Sequence, residues 1–172
     1  MADILVTATN TLVLAHVPNS AVKVTGICYG DREKADRYFD NRLRSEPWRR
    51  STLDEKDAAL AEATRLIDRF NFVGCKASDE QGLQFPRDTD TEVPLSIELA
   101  CYEVAIKLVD GFDPDIEADV LAVSGQGFSV VRSTYNRDYI PDHLRAGIPS
   151  IVAWEHIKPY LRDPNTINLR RV

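Results

Sequence analysis

The chain has 172 residues, 44% of them hydrophobic; that is enough to bury one core, and it argues for a single domain with at most an appended arm rather than a two-domain enzyme. Lysine and arginine number 21 against 27 aspartates and glutamates, and the resulting net charge of −6 is opposite in sign to that of a protein that coats duplex DNA. Cys28, Cys75 and Cys101 are odd in number, widely spaced and without a CxxC pair, so they indicate neither a disulfide framework nor a zinc site and fit a reducing cytosol.

No stretch approaches the roughly 18 consecutive apolar residues of a membrane span, and the start MADILVTATN lacks a basic region followed by an apolar run. The expectation is a soluble, unexported protein with no membrane partner. Residues 1–28 begin with ADILVTATNTLVLAHV, short β-rich runs around Thr9, Asn10 and Thr11, and read as an N-terminal β hairpin or arm. DREKADRYFDNRL then predicts a first helix capped by Asp31, with Ala35, Tyr38, Phe39 and Leu43 on one apolar stripe. In STLDEKDAALAEATRLIDRF, Thr52 and Glu55 form a capping-box pattern that opens a second helix reaching about Phe70. Leu60, Ala63, Ile67 and Phe70 are its apolar line, with Glu55, Lys56, Glu62 and Arg65 on the wet face.

Residues 72–87 hold two extended runs around a turn-like Ser78 to Gly82, closed by Pro86, and predict a projecting hairpin. A third helix follows Pro94, with Ile97, Ala100, Cys101, Val104, Ala105 and Leu108 as its stripe and Gly111 as its stop. Residues 120–135 predict a second arm, two strands turning through Gly125, Gln126 and Gly127. A short helix from Pro149 buries Ile151, Trp154 and Ile157 until Pro159 disrupts it, and 162–172 is a polar tail. The fold class is therefore mainly α with β arms (α+β): a compact bundle of three to four helices over 29–161 carrying projecting hairpins. Arms bury little by themselves, which points to surfaces completed by neighbouring subunits.

Catalytic, cofactor and metal motifs are missing. His16, His143 and His156 have neither HxH nor HExxH spacing, and Cys101 lies on an apolar helical stripe. SGQGFSV has Val130 where a dinucleotide fingerprint needs its third glycine. The run Asp113, Asp115, Glu117 lacks the glycine and terminal glutamate of an EF-hand. RLRSEPWRR is the strongest nucleic-acid signal, ahead of the pair Arg170 and Arg171, which reads as a docking tail: Arg42, Arg44, Arg49 and Arg50 surround Trp48, a pattern that pairs phosphates and stacks a base in sequence-tolerant single-strand binding. The alternative, which the neighbouring Asp40, Asp54 and Asp57 favour, is that Trp48 packs the helix junction while the arginines pair or snorkel.

The ordered segments EKADRYF, KDAALAEATRLIDRF behind a tryptophan, LQFPR, VPLSIELACYEVA and GIPSIVAWEHIKPYL resemble the small neck proteins of tailed bacteriophages, the head-completion or head-to-tail adaptor proteins beneath the portal. Related sequences are often labelled DnaT-like single-stranded DNA-binding proteins. The resemblance covers about 29–161. It implies a non-enzymatic virion protein of the neck, in the host cytoplasm before assembly, that forms a homo-oligomeric, twelvefold ring. It also implies a portal protein above, a tail-side stopper or tail terminator protein below, and double-stranded DNA passing through the lumen without sequence-specific binding. An acidic lumen that repels phosphates suits that passage. The tail residues Arg162, Leu169, Arg170, Arg171 and Val172 become candidate portal contacts. The alternative is a single-stranded-DNA-binding replication accessory that uses Arg42, Arg44, Trp48, Arg49 and Arg50.

Overall fold

The computed structural model describes residues 28–114, 116, 125–128, 131–134 and 140–162. Helices dominate: α1 (Arg32–Asp40), α2 (Glu46–Arg50), α3 (Leu53–Asp68), α4 (Leu95–Val109), α5 (Asp142–Arg145) and α6 (Ile151–Ile157), the last running into a 3-10 turn at Lys158–Tyr160. The mainly helical class expected from the sequence holds.

Local chemistry sets the helix ends. Asp31 caps α1 by accepting from the Glu33 amide at 2.8 Å. At α3 the Thr52 hydroxyl accepts from the Glu55 amide, and the Glu55 carboxylate accepts from the Thr52 amide at 2.7 Å, a complete capping box. Glu55 is held below the usual carboxylate range by those bonds to Thr52. The chain leaves α4 through Gly111 at φ 97°, a left-handed position that suits glycine, while Phe112 N–H donates to Lys107 O and Gly111 N–H to Leu108 O. Ser150 caps α6 by accepting from the Ala153 amide at 3.3 Å.

The core gathers around α4, which packs against α3 along one side and α6 along another. Ala100 through Ile106 are all buried, two full turns with no wet face. Leu60, Ala63 and Ile67 of α3, Phe39 of α1, Trp48 of α2 and Ile157 of α6 complete it. Each large apolar side chain so buried contributes about 2–3 kcal/mol.

Several expectations change. Leu43 leaves the α1 stripe, because the helix ends at Asp40, Arg42 N–H folds back to Phe39 O and Arg44 turns the chain at φ 60°; Leu43 is 88% exposed. Ile151 is 59% exposed rather than buried, since Ser150 starts the helix and the inward positions fall on Ala153 and Ile157. The segment 72–87 is no hairpin ladder: it makes isolated bridges, Phe72 to Leu161 and Lys76 to Arg87, and closes around the Arg87 side chain. That guanidinium, 8% exposed, donates to the carbonyls of Phe72, Val73, Gly74 and Gln84 and to Gln84 Oε1 at 2.7–3.3 Å. In the second arm, β1 (Gly125–Phe128) pairs antiparallel with β2 (Val131–Thr134), so Gly125, Gln126 and Gly127 lie in a strand and not in the turn. The N-terminal arm and residues 163–172 of the tail lie outside the described residues.

Candidate functional site

The basic segment Arg42–Arg50 forms the turn from α1 into α2. Ser45, 2% exposed, donates its hydroxyl to Arg42 O at 3.1 Å, and Pro47 fits the first turn of α2, where a missing amide is harmless. Arg42 points inward: its Nη2 lies 2.6 Å from Oε2 of Glu103, a fully buried carboxylate on α4. Tyr38 donates its hydroxyl to the other oxygen of Glu103 at 2.6 Å. Burial, and then that hydrogen bond to a carboxylate, push the Tyr38 phenol up to about 12. Arg42 is thus the counter-charge that lets Glu103 sit in the core, with its Nη2 engaged there.

Trp48 is 1% exposed. Its Nε1 donates to Asp36 Oδ1 at 2.7 Å, the Phe39 ring centroid lies 4.9 Å away, and Lys56 Nζ sits 5.3 Å over the indole. Lys56 also reaches Asp36 Oδ1 at 2.8 Å. Partial burial pushes Asp36 up, but the hydrogen bonds from Lys56 and Trp48 outweigh it and hold the carboxyl below the usual range. Trp48 therefore packs the helix junction, the reading that the neighbouring aspartates favoured over base stacking: its ring is enclosed by α1 and α3. Arg49 donates to Phe39 O at 3.4 Å and lies 4.0 Å from Glu46, and Arg50 lies 3.6 Å from the same carboxylate. Only Arg44 of the four arginines is exposed with no ion pair among the described residues.

Beside this segment a cleft of about 530 Å³ opens between α2, the start of α3 and the end of α4. Glu46, Glu55 and Asp110 line it against a single cation, Arg50, with Pro47 and Val109 as its apolar part. Such a lining disfavours phosphate. Cys101 is buried against Leu60 and Thr64, and burial pushes its thiol up to about 12. His143 and His156 are half-buried on α5 and α6, and no group of three potential ligands able to hold a metal occurs among the described residues. His16 lies outside the described residues. Arg162 is exposed just beyond the Phe72 to Leu161 bridge and donates its amide to Asn71 O at 3.0 Å; Leu169, Arg170, Arg171 and Val172 lie outside the described residues.

Two features escaped the sequence reading. Glu103 was signalled by a carboxylate inside the apolar run ACYEVA, but its partners lie about 60 residues upstream. The other is a set of exposed large apolar side chains at the starts of elements and in turns: Leu43, Leu53, Val73, Leu95, Ile151 and Val152. Leu43 carried a signal in its two flanking arginines.

No curated protein and no solved structure matches the chain. A family model described as "Putative DnaT-like ssDNA binding protein" matches residues 21–161, most of the chain, and the chain belongs to that family.

Proposed function

We propose that this protein is a structural adaptor of a tailed-phage neck, a non-enzymatic subunit whose copies form a ring between portal and tail around the exiting DNA. The observation that carries the reading is the mismatch between its two surfaces. Arg42 and Trp48 of the basic segment are committed to buried partners inside the molecule, while large apolar side chains, Leu43, Leu53, Leu95 and Ile151 among them, stand exposed where protein partners could meet them. The resemblance of the ordered segments over 29–161 supports the same reading, as does the net charge of −6, which suits a lumen that DNA must slide through. In an infection with a stop codon in this gene, the expected result is normal DNA synthesis with heads and tails left unjoined. Depressed DNA synthesis with normal joining would reject it.

A second reading, single-stranded-DNA binding, is favoured by the description of the family the chain belongs to. In this chain it would rest on the surface arginines Arg44, Arg49 and Arg50 without an aromatic platform, so binding would be weak and steeply salt-dependent. Oligonucleotide titration at two salt concentrations tests it, and tight binding at about 0.2 M salt, where phosphate contacts alone are strongly weakened, would favour this reading over the adaptor.

A further inference from the structure

The exposed apolar residues fall on separate sides of α4. Successive helical residues are about 100° apart, so Cys101, Tyr102 and Glu103 sweep an arc of about 200°. Cys101 meets α3 through Leu60 O, and Tyr102 and Glu103 meet Tyr38 and Arg42. The remaining arc, at Ala100 and Val104, is left for α6, which also packs along α4. One flank of the molecule therefore ends in the Leu43–Arg44 turn, and another ends in the outer face of α6.

The two flanks are complementary. The turn is braced on both sides by Arg42 pinned to buried Glu103 and by buried Ser45, and Arg44 is held at φ 60°. Leu43 is an exposed apolar residue, and Arg44 next to it in sequence is an exposed cation. On α6, Ala153 and Ile157 face inward, so Ile151, Val152 and Glu155 share the outward face at i, i+1 and i+4. Ile151 and Val152 are 59% and 41% exposed, and Glu155 is exposed with no ion pair among the described residues. Arg44 likewise has none.

We infer that the Leu43–Arg44 turn of one copy seats on the Ile151–Val152–Glu155 face of α6 in the next copy, with Leu43 against the two β-branched residues and Arg44 paired to Glu155. The occupant is a second copy of this chain, because both flanks expose apolar side chains and the charge beside them is opposite in sign, Arg44 on one and Glu155 on the other. Two different surfaces on different sides of α4 make a heterologous, head-to-tail contact, the kind that propagates into a ring instead of stopping at a symmetric pair. The contact rests on the adaptor reading and names the surfaces that would build its ring.

The test uses Arg44→Glu and Glu155→Arg, both exposed positions, with thermal melting to show that each variant folds as the parent does. Sedimentation and electron microscopy, with and without portal rings, read the assembled mass. The parent chain is expected to assemble, and each reversal alone to weaken self-association about tenfold or more, because like charges then face each other. An equimolar mixture of the two variants is expected to recover association between unlike copies, since each variant keeps one native flank and the two reversed flanks carry opposite charges that meet across the contact. Parent and both variants assembling alike would overturn this contact and leave the ring standing, as would single variants that fail and a mixture that fails with them. A parent chain that stays monomeric even on portal rings would overturn the ring itself, and the contact with it.

Discussion

A costly group to bury is one side chain, the Glu103 carboxylate, fully enclosed on a helix with no wet face over two turns. It is tolerated because both oxygens are occupied, one by Tyr38 and the other by Arg42. Removing the cation leaves an unpaired buried charge. Arg42→Ala should therefore destabilise by about 2–3 kcal/mol, less than for a fully buried pair because Arg42 itself is 30% exposed. Urea unfolding with an unchanged m-value would register the loss. Asp36 makes a pH-dependent contribution of definite sign. Its folded-state pKa lies below the unfolded one, so its bonds to Trp48 and Lys56 stabilise above the ordinary aspartate value of about 3.9 and are lost as pH falls through the lower folded value. Asp36→Asn should melt lower than the parent near neutral pH, and the difference should shrink below about pH 4; a gap independent of pH would show that the charge is not the cause.

Among the elements, the helices and the 72–88 segment are stabilised by opposite means. Helices α1, α3 and α6 have side-chain caps at their starts and bury apolar residues, so their order comes from local bonds plus burial. The 72–88 segment has almost no ladder and depends on one guanidinium that satisfies four carbonyls and a side-chain amide, with Asp88 accepting from the Cys75 amide at 2.9 Å. Arg87→Ala should raise hydrogen exchange at Val73 to Asp88 by about tenfold or more while the amides of α4 keep their protection. Equal loss in both would show that segment and helix pair open together. The cap residues of α1 and α3 were readable in advance because an Asx or Ser/Thr cap acts within three residues. The guanidinium at the centre of the 72–88 segment was not, since its acceptors include carbonyls 13 to 15 residues away.

For the whole molecule, the question is which surfaces remain for partners. The tryptophan that would stack a base is enclosed, and the adjoining cleft is lined mainly by carboxylates. In a Trp154→Phe background, Trp48 fluorescence should be blue-shifted and should stay unchanged when a single-stranded oligonucleotide is added. Quenching on titration would mean that the α1–α2 junction opens to admit a base. The exposed large apolar side chains include Leu43 on one flank, Ile151 and Val152 on another, and Leu53 and Leu95 at the first turns of α3 and α4.

Sequence alone determined what acts over a turn or less: the cap at Asp31, the box at Thr52 and Glu55, the stop at Gly111, the disruption at Pro159 and the apolar stripes of α3 and α4. These are set by hydrogen bonds and side-chain periodicity within a few residues. The tertiary structure decided which apolar residues stay outside, where Trp48 goes and what Glu103 pairs with. Leu43 continued the α1 period and was still expelled, because the chain reverses at Arg44 to bring Trp48 under Phe39. A tryptophan among arginines reads the same whether it stacks on a base or on a phenylalanine. Packing the rest of the chain around it settles the difference, since burial depends on neighbours far away in sequence.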